Sequence, residues 1–115
     1  MIKIKRIYEK ETKDDGYRVL VDRLWPRGVK KTDAKIDDWM KDIAPSNELR
    51  KWFNHDLKKW PAFQRKYKSE LIKNISTVSE LKSIQRRQKN LTLLFAAKDS
   101  EHNGAVVIRN FLNRK

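Results

Sequence analysis

At 115 residues, with 28 basic and 15 acidic side chains and a net charge of +13, the chain has the size of one ordinary domain. It lacks any apolar run of the length a membrane span requires. The absence of cysteine excludes disulfides, thiol nucleophiles and thiolate metal sites, and two histidines leave few donors for a transition metal, so no cofactor and no metal is expected.

Four Trp, four Phe and three Tyr supply the bulky apolar surface that a disordered chain lacks. The opening residues Met1 to Arg6 alternate apolar and basic side chains, unlike a signal peptide, and a cytoplasmic protein is expected. The charge is uneven. Residues 1–57 carry 14 basic and 11 acidic side chains, a net +3, whereas residues 58–115 carry 14 and 4, a net +10. A field of that sign attracts nucleic acid, nucleotides, anionic metabolites or acidic proteins without selecting among them, and a merely solvated lysine-rich surface is its bland alternative.

Ile2 and Ile4 alternate with Lys3 and Lys5, which predicts an edge strand with one wet face. Residues 17–22 form a nearly continuous β-rich apolar run, as does 91–96, and both read as interior strands. About eight residues, 9–16, separate the first two strands, so those strands are either an antiparallel pair or non-adjacent. Ile36, Trp39, Met40 and Ile43 have helical spacing and predict a helix ended by Pro45. Ser46 can cap a short helix carrying Leu49, Trp52 and Phe53 on one face. Pro61 suits the first turn of a third helix with Phe63, Tyr67 and Leu71 inward and Arg65, Lys66, Lys68 and Lys73 outward. Thr77 to Glu80 has capping-box spacing and predicts the start of a fourth helix that buries Val78, Leu81 and Ile84 and ends near Arg86, Arg87 and Lys89. A last helix is expected from about Ser100, with Ala105, Ile108 and Leu112 inward. The sum is a small, mostly parallel sheet of three or four strands flanked by about five helices, with Rossmann-like or flavodoxin-like layering.

In such a sheet, ligands bind beyond the carboxyl ends of the strands. There the sequence places Asp22, Arg23, Trp25, Pro26, Arg27 and Gly28 after the second strand, and Lys98, Asp99, Glu101, His102, Asn103 and Gly104 after the third run. Arginine's planar fork suits phosphate or carboxylate, and the backbone N–H groups of a strand-to-helix turn can hold an anion. Arg18, Arg23, Arg27, Lys98 and Asn103 are therefore candidate anion ligands, with Asp22, Asp99 and His102 as candidate acid/base groups. The structural alternative is that Asp22 pairs with a neighbouring cation, Asp99 caps the last helix and Trp25 packs the core. His55-Asp56 is a weaker acid/base candidate, because adjacent residues do not orient each other as a triad does. Trp39, Trp52, Trp60, Phe63 and Tyr67 fall at helical spacing and read as core in preference to base-stacking residues.

The run Asp15 to Gly28, then Ala44-Pro45-Ser46, Leu49 to Phe53, His55-Asp56, Ala97-Lys98-Asp99 and Glu101-His102-Asn103, resembles the YeaO-like branch of domain-of-unknown-function family 488. The likeness covers nearly the whole chain. It implies a small bacterial or archaeal α/β domain with a parallel sheet, and it implies no activity. In the broader superfamily a helix follows the first strand, a similar Asp-x-Arg-x-x-Pro pattern ends the second, and the last turn often reads Cys-His-Arg. Here the first connection is shortened to residues 9–16, and Asn103, Gly104 and Ala105 stand in place of that triplet. Thiol chemistry therefore does not carry over.

Three functions follow as expectations. A site for a small anionic, phosphate- or nucleotide-like ligand ranks first, because its residues fall where α/β sheets put ligands. A nucleic-acid-binding surface built on Arg65, Lys66, Arg86 and Arg87 ranks second, and a protein-binding adaptor third.

Overall fold

The computed structural model describes residues 1–114. At its centre is β4 (Leu91–Phe95), all five residues of which are buried because the strand has neighbours on both sides and layers on both faces. It pairs in parallel with β1 (Ile2–Arg6) on one side and with β2 (Tyr17–Leu20) on the other, so that Leu93 lies between Ile4 and Val19. A two-residue strand, β3 (Asp38–Trp39), extends the sheet beyond β2, giving the all-parallel order β1-β4-β2-β3. The expected edge position of the first strand and the parallel relation of the second and third runs are both observed. β1 and β2 are non-adjacent, with β4 between them, and a 3-10 turn at Lys13–Asp15 makes the short passage.

Strand alternation divides the core. Val19, Leu91, Leu93 and Phe95 pack with α2 (Asn47–Phe53), α3 (Trp60–Lys73), α4 (Ile75–Arg87) and α5 (Gly104–Leu112) on one face. Leu20 and Leu94 point to the opposite face, where Ile7, Ala34 of the one-turn α1 (Lys31–Ala34), Trp25, Val29, Ile36 and Trp39 cover them. The layering is thus helical on one side and mostly loop on the other. Phe63, Tyr67 and Leu71 are buried along α3, as are Val78, Leu81 and Ile84 along α4 and Ala105, Ile108 and Leu112 along α5. Full burial of the Phe, Leu, Ile and Val side chains among these stabilises by about 1.5–3 kcal/mol each. Among the described residues no helix is long and apolar enough to cross a membrane.

Three sequence expectations are corrected, the simplest being the last helix, which starts at Gly104 and not near Ser100 because Asn103 caps it. The helix expected across residues 36–43 is replaced by β3 and a 3-10 turn at Lys41–Ile43. Backbone pairing decides this: Asp37 N–H donates to Arg18 O at 2.8 Å and Met40 N–H to Leu20 O at 2.9 Å. The apolar side chains then part, Ile36 and Trp39 packing on the loop side and Met40 and Ile43 on the helical side. The fourth helix starts at Ile75 and not at Thr77, because α3 passes into α4 through Asn74 alone, whose carbonyl accepts from Val78 N–H. The Asn74 side chain is used elsewhere, donating to Asp42 O at 2.8 Å.

Candidate functional site

The carboxyl ends of β2 and β4 meet at Asp22. Its carboxylate accepts from Ala96 N–H at 2.8 Å, and its carbonyl accepts from the Trp39 indole N–H at 2.7 Å. Burial pushes the Asp22 carboxyl up to about 6, against the lowering effect of the Ala96 N–H. Next along the chain, Arg23 turns toward α3 and donates through Nε to Pro45 O at 3.1 Å and through Nη2 to Ala44 O at 3.2 Å. These bonds leave Nη1 without a protein partner among the described residues.

Arg23 borders a polar cleft of about 130 Å³, together with Asp42, Ser46, Tyr67, Glu70 and Asn74. Ser46 organises it. Its hydroxyl caps α2 by accepting from Leu49 N–H at 3.1 Å, while its own N–H and O–H donate to the Glu70 carboxylate at 2.8 and 2.6 Å. Tyr67, fully buried, donates its hydroxyl to Ile43 O. Burial, with the negative charges of Glu70 and Asp22, holds that phenol well above its ordinary value, and Arg23 opposes the shift. One cation and two carboxylates line the cleft, so it does not concentrate positive charge. Glu70 was not foreseen; the signal for it is that it is the lone acid in the otherwise basic α3.

The second expected group stands beside this cleft, at the amino end of α5. A Cβ built on Gly104 would lie 3.5 Å from both Pro45 and Tyr67, which brings the turn against the cleft wall. Its polar residues are occupied within the turn. Asn103 is 5% exposed and caps α5, accepting from Val106 N–H at 3.1 Å and donating to Asp99 O at 2.9 Å. Asp99 accepts from Glu101 N–H at 2.9 Å and His102 N–H at 3.1 Å, and its carboxylate lies 2.9 Å from His102 Nδ1. The Glu101 N–H, then the His102 ring and N–H, hold the Asp99 carboxyl below its ordinary value despite its desolvation. His102 meets Trp60 edge-on at 5.1 Å.

The remaining candidates are dispersed. Arg18 lies on the opposite face of the sheet, 3% exposed, where its guanidinium is held by Asp15, Lys35 O and Ala34 O. Alternation requires this, since Val19 faces the helices. Arg27 and Lys98 are exposed to solvent at least in part, and the Arg27 carbonyl accepts from the Tyr8 hydroxyl at 2.9 Å. His55 is exposed, and Asp56 caps the following 3-10 turn through Lys58 N–H.

A second candidate surface lies on α3 and α4. Their outward arcs carry Arg65, Lys66, Lys68, Lys73, Lys82, Arg86 and Arg87 against Glu70 and Glu80, and Glu70 is engaged with Ser46. Among the described residues no lysine or arginine after position 57 forms an ion pair; those of Lys3, Lys5, Arg18 and Lys35 all belong to the first half of the chain.

An α/β domain with this Asp22-Arg23 strand end and a closed α5 turn is of the kind the sequence resemblance implies. The chain belongs to the family described as the inactive DUF488-N3 subclade, which it matches over residues 1–115. It is 44% identical over 111 residues to the Uncharacterized protein YeaO of Escherichia coli K12, an alignment covering 96% of each chain. Uncharacterized proteins of Mycobacterium bovis and Mycobacterium tuberculosis are each 37% identical over 112 residues, which covers 97% of this chain and 93% of theirs. No solved structure matches it.

Proposed function

We propose that this chain is a non-catalytic nucleic-acid-binding module whose contact surface is the outward arc of α3 and α4. The observation that carries the reading is seven basic against two acidic side chains on those helices, none of the basic ones ion-paired among the described residues. Cations without ion-pair partners are free to neutralise phosphates and release counterions. Membership in a subclade described as inactive supports a binding role, as does the engagement of Asp99 and Asn103 in capping. The cysteine-free sequence fits a cytosolic setting.

The test is the salt dependence of oligonucleotide binding followed by fluorescence anisotropy. Arg65→Ala/Lys66→Ala/Arg86→Ala/Arg87→Ala should weaken binding and reduce the salt slope by about 0.9 for each lost contact to duplex phosphate. Arg23→Ala/Arg27→Ala should leave both unchanged. An unaltered slope in the quadruple variant overturns the reading. A second reading, a small anionic ligand beside Arg23, is favoured by the unspent Nη1 of that residue and the raised Asp22 carboxyl. It requires thermal stabilisation of the protein by phosphate or a nucleotide, and loss of that stabilisation in Arg23→Ala.

A further inference from the structure

Trp52 shares a helical face with Leu49 and Phe53 by sequence spacing, yet it is 38% exposed where each of those is 6% exposed. Anchoring of α2 does not need it, because Phe53 stacks on Phe63 at 4.3 Å and packs against Trp60 at 5.9 Å. Two ammonium groups lie over its indole ring instead, Lys59 Nζ at 5.0 Å and Lys66 Nζ at 5.1 Å from the ring centroid. Lys59 also donates to Trp52 O at 2.8 Å, which holds that cation at the end of α2, whereas the Lys66 ammonium makes no hydrogen bond among the described residues.

We propose that Trp52, with Lys59 and Lys66, is a base-stacking platform for single-stranded nucleic acid. The inference rests on the nucleic-acid reading and narrows it. An exposed indole offers a π-face to any base once the untethered Lys66 ammonium swings off the ring, and both ammonium groups then remain within reach of the phosphates next to the stacked nucleotide. A duplex keeps its bases stacked on one another and cannot use the ring, so the platform discriminates between strand states and not between sequences. Glu48, one turn before Trp52 on α2, is the acid nearest to it along that helix and opposes the attraction.

Affinities of the full chain for a labelled 12-nucleotide oligo(dT), the same strand with abasic sites, and a duplex of equal phosphate count test the proposal. Trp52→Ala should lose about tenfold on the single strand and stay within twofold on the duplex, with its salt slope unchanged. Trp52→Phe should recover most of the loss. The wild-type chain should bind the abasic strand about tenfold more weakly than oligo(dT), a comparison that needs no variant to fold. Arg86→Ala/Arg87→Ala separates the two readings, since it should weaken single strand and duplex alike and lower the salt slope. If that pair has its effect while Trp52→Ala and the abasic strand behave as wild type on oligo(dT), the platform is wrong and the charged surface stands. If neither strand state binds, or the Arg86/Arg87 variant is indistinguishable from wild type, both fall. Loss of binding to phosphatidylglycerol vesicles in Trp52→Ala without any loss on oligo(dT) would assign the ring to a lipid surface and overturn the proposal.

Discussion

The Asp22 carboxylate accepts the Ala96 N–H at 2.8 Å, a single bond that ties the end of β2 to the end of β4. Burial, against the lowering effect of that bond, raises the carboxyl from an ordinary 3.8 to about 6. A folded value above the unfolded one means that the native state holds the proton more tightly. The associated stability is complete below pH 3.8 and is lost as pH rises through 6, by about 3 kcal/mol in all. Asp22→Asn keeps an acceptor for Ala96 and removes the charge. Its urea midpoint should match wild type near pH 4 and exceed it at pH 7, and a D22N midpoint below wild type at pH 7 would contradict this account.

Asp15 has the opposite sign. It is 1% exposed and meets Arg18, Lys5 Nζ at 3.0 Å, Lys3 Nζ at 3.1 Å and the Thr12 hydroxyl at 2.8 Å. Burial pushes its carboxyl up, but the bonds from Lys5, Thr12 and Lys3 outweigh burial and hold it well below the ordinary range. This stability is present above pH 3.8 and is lost as pH falls below it. Asp15→Ala leaves the buried Arg18 guanidinium without its counter-ion and should cost about 3–5 kcal/mol at pH 7. Chemical denaturation at pH 7 and pH 3 checks this, and the gap to wild type should narrow at the lower pH.

Much of this fold is legible because several elements carry one unambiguous period. The continuous apolar runs of β2 and β4 and the four-residue spacing of Phe63, Tyr67 and Leu71 behind Pro61 each admit one assignment. Residues 36–43 admit two, since Ile36, Trp39, Met40 and Ile43 fit a helical stripe while backbone bonds to Arg18 and Leu20, about 20 residues away, pull them into a strand. Asp22 and Arg23 are visible as a charged strand end. The Ser46 to Glu70 contact is not, because the two residues are 24 positions apart and neither the capping signal of Ser46 nor the isolation of Glu70 in a basic helix names the other as its partner. Arg18 stands apart from the other candidate ligands because strand alternation puts it opposite Val19, and only the structure shows that Val19 is the one facing the helices.

Gly16 closes the turn that lets β2 start beside β4. Its φ is +65°, and a Cβ there would sit 2.3 Å from the Asn90 carbonyl oxygen, which accepts from Tyr17 N–H at 3.0 Å. Gly16→Ala therefore incurs both left-handed backbone strain and a clash with main chain that cannot swing aside. A loss of about 2 kcal/mol or more is expected in the urea midpoint. Gly28→Ala provides the control, having φ +79° but nothing within 4 Å of the added carbon, and should cost less.

Ser46 and Glu70 make the strongest case for coupling across the cleft. Ser46 is at once the cap of α2 and the donor of two hydrogen bonds to the Glu70 carboxylate on α3. Ser46→Ala removes the cap and one of those bonds and should cost about 1–2 kcal/mol. Glu70→Ala removes the acceptor of both, leaving the Ser46 hydroxyl and N–H to find water in a half-buried setting. Since each change deletes part of the same contact, the double variant should lose less than the sum of the two single losses, by about 0.5–2 kcal/mol. Strict additivity in a double-mutant cycle would mean that α2 and α3 are held together by contacts such as Phe53 on Phe63 and Trp60, with the polar contact contributing nothing between them.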